Sequence, residues 1–165
     1  MEYRPKISLP YSNQDKLLEG ISLLLLLVLW LVAIRFYSLL PDIVPIHFDG
    51  KGQADGYSRK GSLFLLPLIA TIIYGGTTLL NKHPDIFNYG VSITPENAHR
   101  LYSKATRFLR VLKLLVLILF LIIVVVVIRT SLHNGTGPGP LFLPFLLTPL
   151  ILLAGWSLVS AWNEH

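Results

Sequence analysis

Lys113-Leu114-Leu115-Val116-Leu117-Ile118-Leu119-Phe120-Leu121-Ile122-Ile123-Val124-Val125-Val126-Val127-Ile128-Arg129 is the stretch that decides the fold. From Leu114 to Ile128 no side chain is polar, and a cation stands at each end. A hydrocarbon core about 30 Å thick needs about 20 helical residues. The run and its flanks, residues 111–130, therefore read as a membrane-spanning helix.

The rest of the chain agrees with that solvent. Of 165 residues 53% are hydrophobic and 14% charged, with mean hydropathy +0.61. A soluble domain carries about a quarter charged residues. The deficit is gathered into blocks, which predicts one membrane domain over 1–165 and further spans at about 18–40, 62–81 and 141–162. The first apolar run, Ile21 to Ile34, is short, so its span extends toward Leu40 and carries Arg35 near the end, where a guanidinium can snorkel to the headgroups. A cleaved signal peptide fits poorly, because the polar segment ahead of the run is long and acidic as well as basic. Pro67 sits near the start of the second span, where a missing N–H costs least. Pro144 and Pro149 predict a kink or broken first turn in the fourth, and Trp156 and Trp162 an interfacial aromatic belt. With no cysteine, disulfides, thiolate metal sites and cysteine nucleophiles are excluded. The net charge of +5 reads as cations meeting anionic headgroups rather than nucleic acid.

Four spans put both termini and the middle connection on one side. That side holds Arg4, Lys6, Lys16, Lys82, Arg100, Lys104, Arg107, Arg110 and Lys113; the other holds Arg35, Lys51, Arg59, Lys60 and Arg129. The excess of positive charge predicts cytoplasmic termini and an outward-facing first loop.

Just ahead of the third span, Thr94-Pro95-Glu96 is a helix start: a capping hydroxyl, a proline in the first turn and an acid at the positive dipole end. Asn97 replaces the Glu or Gln of a full capping box. Apolar residues then recur at Ala98, Leu101, Tyr102, Ala105, Phe108, Leu109 and Leu112, with Arg100, Ser103, Lys104, Arg107 and Arg110 between them. This predicts an amphipathic helix over 95–112, continuous with span three. Its basic residues Arg100, Lys104, Arg107, Arg110 and Lys113 read as an interfacial anchor for anionic lipid, with a docking surface for a cytoplasmic partner as the rival.

No ionisable residue stands at the middle of any span, which argues against an ion-coupled transporter but not against a neutral-solute pathway. Thr71, Tyr74, Gly75 and Thr78 share one face of span two and read as a helix-packing face.

The first loop, Leu40 to Lys60, is dense in turn residues. Pro41 and Pro45 predict extended backbone over Ile43–Phe48. Asp49-Gly50 and Gly52 predict one turn, Asp55-Gly56 a second, and Ser58 a cap for span two. His47, Asp49 and Asp55 are candidate metal ligands, and His47 a candidate base, but the spacing fits no zinc or EF-hand pattern. Backbone hydrogen bonding is the favoured role for these polar side chains. The same loop offers Phe48, Tyr57, Arg59 and Lys60 to an external peptide or lipid headgroup. In the third loop Asn134-Gly135-Thr136 is formally a glycosylation acceptor, relevant only in a secretory eukaryote.

The first loop resembles the bacterial membrane family called domain of unknown function 1648. Its pattern of Leu-Pro, Ile-Pro, His-Phe, Gly, Asp and Lys is met by Leu40-Pro41, Val44-Pro45, His47-Phe48, Gly52, Asp55 and Lys60, with Val44 for the usual Ile. The middle segment is similar too, at Pro84, Phe87-Asn88-Tyr89, Ile93-Thr94, Glu96-Asn97-Ala98 and Tyr102, with Gly90 where many relatives have Pro. The same domain occurs in SdpI-type proteins, which protect bacilli from a secreted toxic peptide, signal to a repressor and carry further C-terminal spans. The resemblance implies a protein of the bacterial inner membrane, permits an immunity or signalling role, and supplies no catalytic residues.

The expectation is an all-α integral membrane protein with four transmembrane helices, an ordered outer loop 1 and a cytoplasmic extension of helix 3. It needs no cofactor. Its partners are a bilayer with anionic headgroups and a peptide or membrane protein, not nucleic acid. Sensing, immunity or interaction at the membrane leads; a small transporter or lipid-handling component is the alternative, and a metal-dependent membrane hydrolase ranks third.

Overall fold

Ser12 starts the first helix in the computed structural model, which describes residues 4–133, 135 and 137–162, and the side chains of all these but 158 and 160–162. Its hydroxyl accepts from the N–H of Asp15 at 3.2 Å, and the Asp15 carboxylate accepts from the Ser12 N–H at 3.0 Å. This reciprocal cap satisfies donors a helix start would otherwise leave open. Helix α1 then runs Asn13–Tyr37. It stops short of the expected Leu40, because Pro41 disfavours helical backbone before it. Strands β1 (Ile43–Phe48) and β2 (Ala54–Arg59) pair antiparallel. A 3₁₀ turn, Lys60–Phe64, leads into α2 (Leu65–Leu80). After a short 3₁₀ turn at Pro84–Ile86, α3 runs unbroken over Pro95–Leu132, and α4 covers Phe142–Trp162.

Three helical runs, Asn13–Tyr37, Lys60–Leu80 and Pro95–Leu132, are long and apolar enough to cross a membrane. The protein is thus mostly helical, with membrane-spanning architecture, but the first loop adds a two-stranded sheet to the expected all-α fold. In α4 the apolar stretch with described side chains, Phe142–Ser157, is shorter than those three. The Trp162 side chain, and Asn134 and Thr136 of the glycosylation motif, lie outside the described residues.

The core is a seam between α1, α2 and α3. Leu26, Leu29 and Ala33 of α1 meet Leu117, Val124 and Ile128 of α3, with Ala70 of α2 fully buried beside them. The opposite side of α1, with Leu24, Leu27, Leu31 and Ile34, is exposed. A helix apolar all round belongs in lipid, where its outer face meets hydrocarbon. Across the seam the Trp30 indole donates to the Thr71 hydroxyl at 3.0 Å. Thr71, Tyr74 and Thr78 all engage neighbouring helices, but Gly75 does not: an added Cβ there would meet nothing within 4 Å. Gly75 is therefore not a close-approach glycine. Helix order places the β-hairpin at one end of the bundle and the segment before α1, with the α2–α3 connection, at the other. The latter, richer in Lys and Arg, is the basic end.

Candidate functional site

At the hairpin end one turn closes the sheet. The Asp49 carboxylate accepts from the N–H groups of Lys51 and Gln53 at 2.9 and 2.8 Å, and the Asp49 N–H reaches Gln53 O at 2.8 Å. Gly52 takes φ +71 in this turn. With the turn complete by Gln53, Asp55-Gly56 has no turn to make. It pairs within β2 instead, Gly56 opposite His47 at an irregular step of the ladder. Ser58 likewise pairs with Val44 and caps nothing; Arg59 precedes the 3₁₀ turn.

The motif residues divide into two groups. Leu40, Val44, Pro45 and Gly52 are buried. A Cβ on Gly52 would run into the backbone of Gly139, and the Gly139 N–H points to Gly52 O at 3.5 Å. Phe48 packs edge-on against Phe142 at 6.1 Å. Lys60 closes the hairpin's ends: its N–H donates to Asp42 O at 2.9 Å, its ammonium to Leu40 O at 3.4 Å, and the ammonium also lies over the Tyr37 ring. Pro41 is exposed between α1 and β1. His47 and Asp55, in contrast, face solvent, with side chains 69% and 48% exposed, and they bond each other, Nδ1 to Oδ1 at 2.5 Å. The expected backbone partners are replaced by this dyad. Among the described residues no group of three His, Cys, Asp or Glu is placed to hold a metal. Ile43, Ile46 and Tyr57 are also exposed on the hairpin.

At the basic end the segment before α1 straps the second motif down. Arg4 donates through Nη1 to Asp85 O at 3.0 Å and Phe87 O at 2.6 Å, and the Tyr102 hydroxyl donates to Pro5 O at 3.2 Å. Ile7 and Leu9 pack on Ile93, Ala98, Leu101 and Tyr102. Tyr89 donates to the carbonyl of buried Pro84 at 2.8 Å, and burial pushes its phenol above its ordinary range. Asn88 accepts from the Gly90 N–H at 3.2 Å, and Gly90 takes φ +69, which a proline ring cannot adopt. Asn97 completes the cap of α3, its Oδ1 accepting from the Thr94 N–H at 2.9 Å. Its shorter side chain does the work expected of Glu or Gln. Pro95 and Glu96 fill the exposed first turn.

The lipid-facing reading fails for Arg110 and Lys113. Both are buried, with side chains 4% and 0% exposed. Lys113 Nζ donates to Glu19 Oε2 at 2.6 Å and Thr78 Oγ1 at 3.0 Å, and stands over the Tyr74 ring. Arg110 pairs with Asp15 at 3.4 Å and Glu19 at 3.3 Å, over the Tyr11 ring. Arg107, nearly half exposed, reaches Asp15 and Ser12, each at 3.4 Å. Arg100 and Lys104 remain on the exposed side of α3. This ionic knot ties α1 to α3 and touches α2. Asp15 and Glu19 did not stand out in the sequence. The signal is two acids at i, i+4 ahead of one apolar run, and three cations in steps of three, on the same helical face, ahead of another.

Residues 23–71 match the family model described as "Domain of unknown function (DUF1648)", so the resemblance read from the first loop holds over the later part of α1, the hairpin and the start of α2. An "Uncharacterized protein" of the archaeon Archaeoglobus fulgidus is 30% identical over 87 residues, 48% of this chain and 48% of that protein. The chain thus spans about half the length of the curated relative it matches, and the similarity reaches beyond bacteria. No solved structure matches.

Proposed function

We propose that this chain is a non-enzymatic recognition protein of the cell membrane, with the hairpin outside and both termini in the cytoplasm. The observation that carries this is the division of the loop motif. Leu40, Val44, Gly52 and Lys60 anchor the hairpin, while the His47–Asp55 dyad is held outward on that anchored base. A solvent-exposed dyad, with no third metal-ligating side chain beside it among the described residues, suits hydrogen bonding to a ligand better than catalysis. Exposed Ile46 and Tyr57 on the same hairpin add apolar contact area for an amphipathic peptide. The resemblance to a domain that also occurs in SdpI-type proteins permits immunity or signalling toward antimicrobial peptides as the finer reading. The excess of Lys and Arg at the basic end supports the orientation, and an apolar α4 supports a fourth span.

The test is survival of a strain that depends on the protein, under membrane-active peptide stress. His47→Ala and Asp55→Asn should each lower survival while leaving the amount of membrane-inserted protein unchanged. Wild-type survival in the double variant would sink the reading.

A further inference from the structure

The apolar side of α3 at the basic end is only partly covered. Tyr102, Arg110 and Lys113 are spent on α1 and its leading segment, but Ala105, Phe108 and Leu109 are half-buried. Beside them lies a cavity of about 490 Å³, bounded by the Phe87–Tyr89 stretch, the end of α2 and Trp156 of α4. That is the size of a small-molecule pocket. Its aromatic wall is held in shape: Phe87 and Tyr89 stack at 6.3 Å, Tyr89 leans on Tyr102 at 5.5 Å, and Arg4 holds the Phe87 carbonyl. The polar lining is Asn88, Lys104 and Ser157, of which Asn88 and Lys104 are exposed at the rim.

We infer that this cavity is a binding site for an anionic phospholipid, one acyl chain lying along Leu80, Phe108 and Leu109 and the phosphate at Lys104 and Asn88. Three observations select that occupant. The lining is apolar with a cation at its mouth, which matches a molecule with one charged end. The membrane-side end of the cavity, at Phe108 and Leu109, lies about 8–9 Å ahead of Leu114 along a helix rising about 1.5 Å per residue, at the headgroup layer. The surrounding end holds most of the chain's Lys and Arg, a field that concentrates anionic lipid. This site is at the opposite end from the hairpin and does not depend on its reading.

The probe is phosphatidylglycerol with brominated acyl chains, set against brominated phosphatidylcholine, in mixed micelles holding the full chain. Bromine quenches the indole of Trp156, and the Trp156→Phe variant isolates that component. Phosphatidylglycerol should half-saturate at about fivefold lower mole fraction, the ratio that about 1 kcal/mol per basic residue gives. Lys104→Glu, an exposed change, should abolish the preference. Ala105→Phe, which fills the cavity, should abolish saturable quenching by both lipids; where that variant does not fold, Lys104→Glu decides. Equal affinity for the two lipids, a preference kept in Lys104→Glu, or saturable quenching kept in folded Ala105→Phe overturns the assignment. So does native mass spectrometry showing a lipid-free dimer closed over the cavity.

Discussion

Gly52 and the Glu19–Lys113 pair show two ways in which one residue holds this bundle together. Gly52 combines positive φ with a backbone-on-backbone approach to Gly139, and either condition alone disfavours a side chain. Gly52→Ala should cost about 2 kcal/mol and free the hairpin from the start of α4, read as a lower thermal midpoint in detergent and faster amide exchange at Asp49–Gln53. Lys113 is a fully buried ammonium whose partners are one carboxylate, one hydroxyl and a ring face. Removing either charge strands the other in a poorly solvating interior. Lys113→Met and Glu19→Met should each destabilise by about 3–5 kcal/mol, whereas the double variant should lose less than either alone. A double-mutant cycle that proved additive would remove the pair from the account.

At the scale of elements, α3 serves two solvents. Its second half is a lipid-facing span, while its first half turns Tyr102, Arg110 and Lys113 toward α1. The amphipathic pattern of the arm is legible in the sequence, and its polar stripe there points to headgroups. A stripe of cations looks the same in sequence whether it faces phosphates or the carboxylates of another helix. The strap ahead of α1 is the second element that only folding reveals. Its alternation of Pro5, Ile7 and Leu9 toward the core pins the second motif from residues far away in the chain. Arg4→Ala removes a charge-assisted donor from two carbonyls. It should raise amide exchange across residues 84–93 about tenfold, as about 1.5 kcal/mol of lost protection gives, with the α1 seam unaffected.

For the whole molecule, the arrangement is a three-helix seam fastened at both ends: by the ionic knot at the basic end and by the hairpin resting on Gly139 and Phe142 at the other. The chain has no cysteine, so single introduced thiols report sidedness without background. Lys51→Cys and Lys82→Cys should label from opposite faces of the membrane with an impermeant maleimide, Lys51→Cys from outside. Labelling of both from one face would break the proposed topology.

The apolar runs by themselves determined the solvent and the mostly helical class of fold, with three helices long enough to cross a membrane, because a helix in lipid satisfies its own backbone and needs only length and hydropathy. The prolines and glycines of the first loop determined that it is ordered, and its motif determined the family match. Tertiary structure alone decided that the loop is a hairpin, that His47 and Asp55 meet, and that Arg110 and Lys113 turn inward to Asp15 and Glu19. Each of those depends on which distant residue stands opposite. Hydropathy records how strongly a residue prefers lipid or water, and carries no information about its partner.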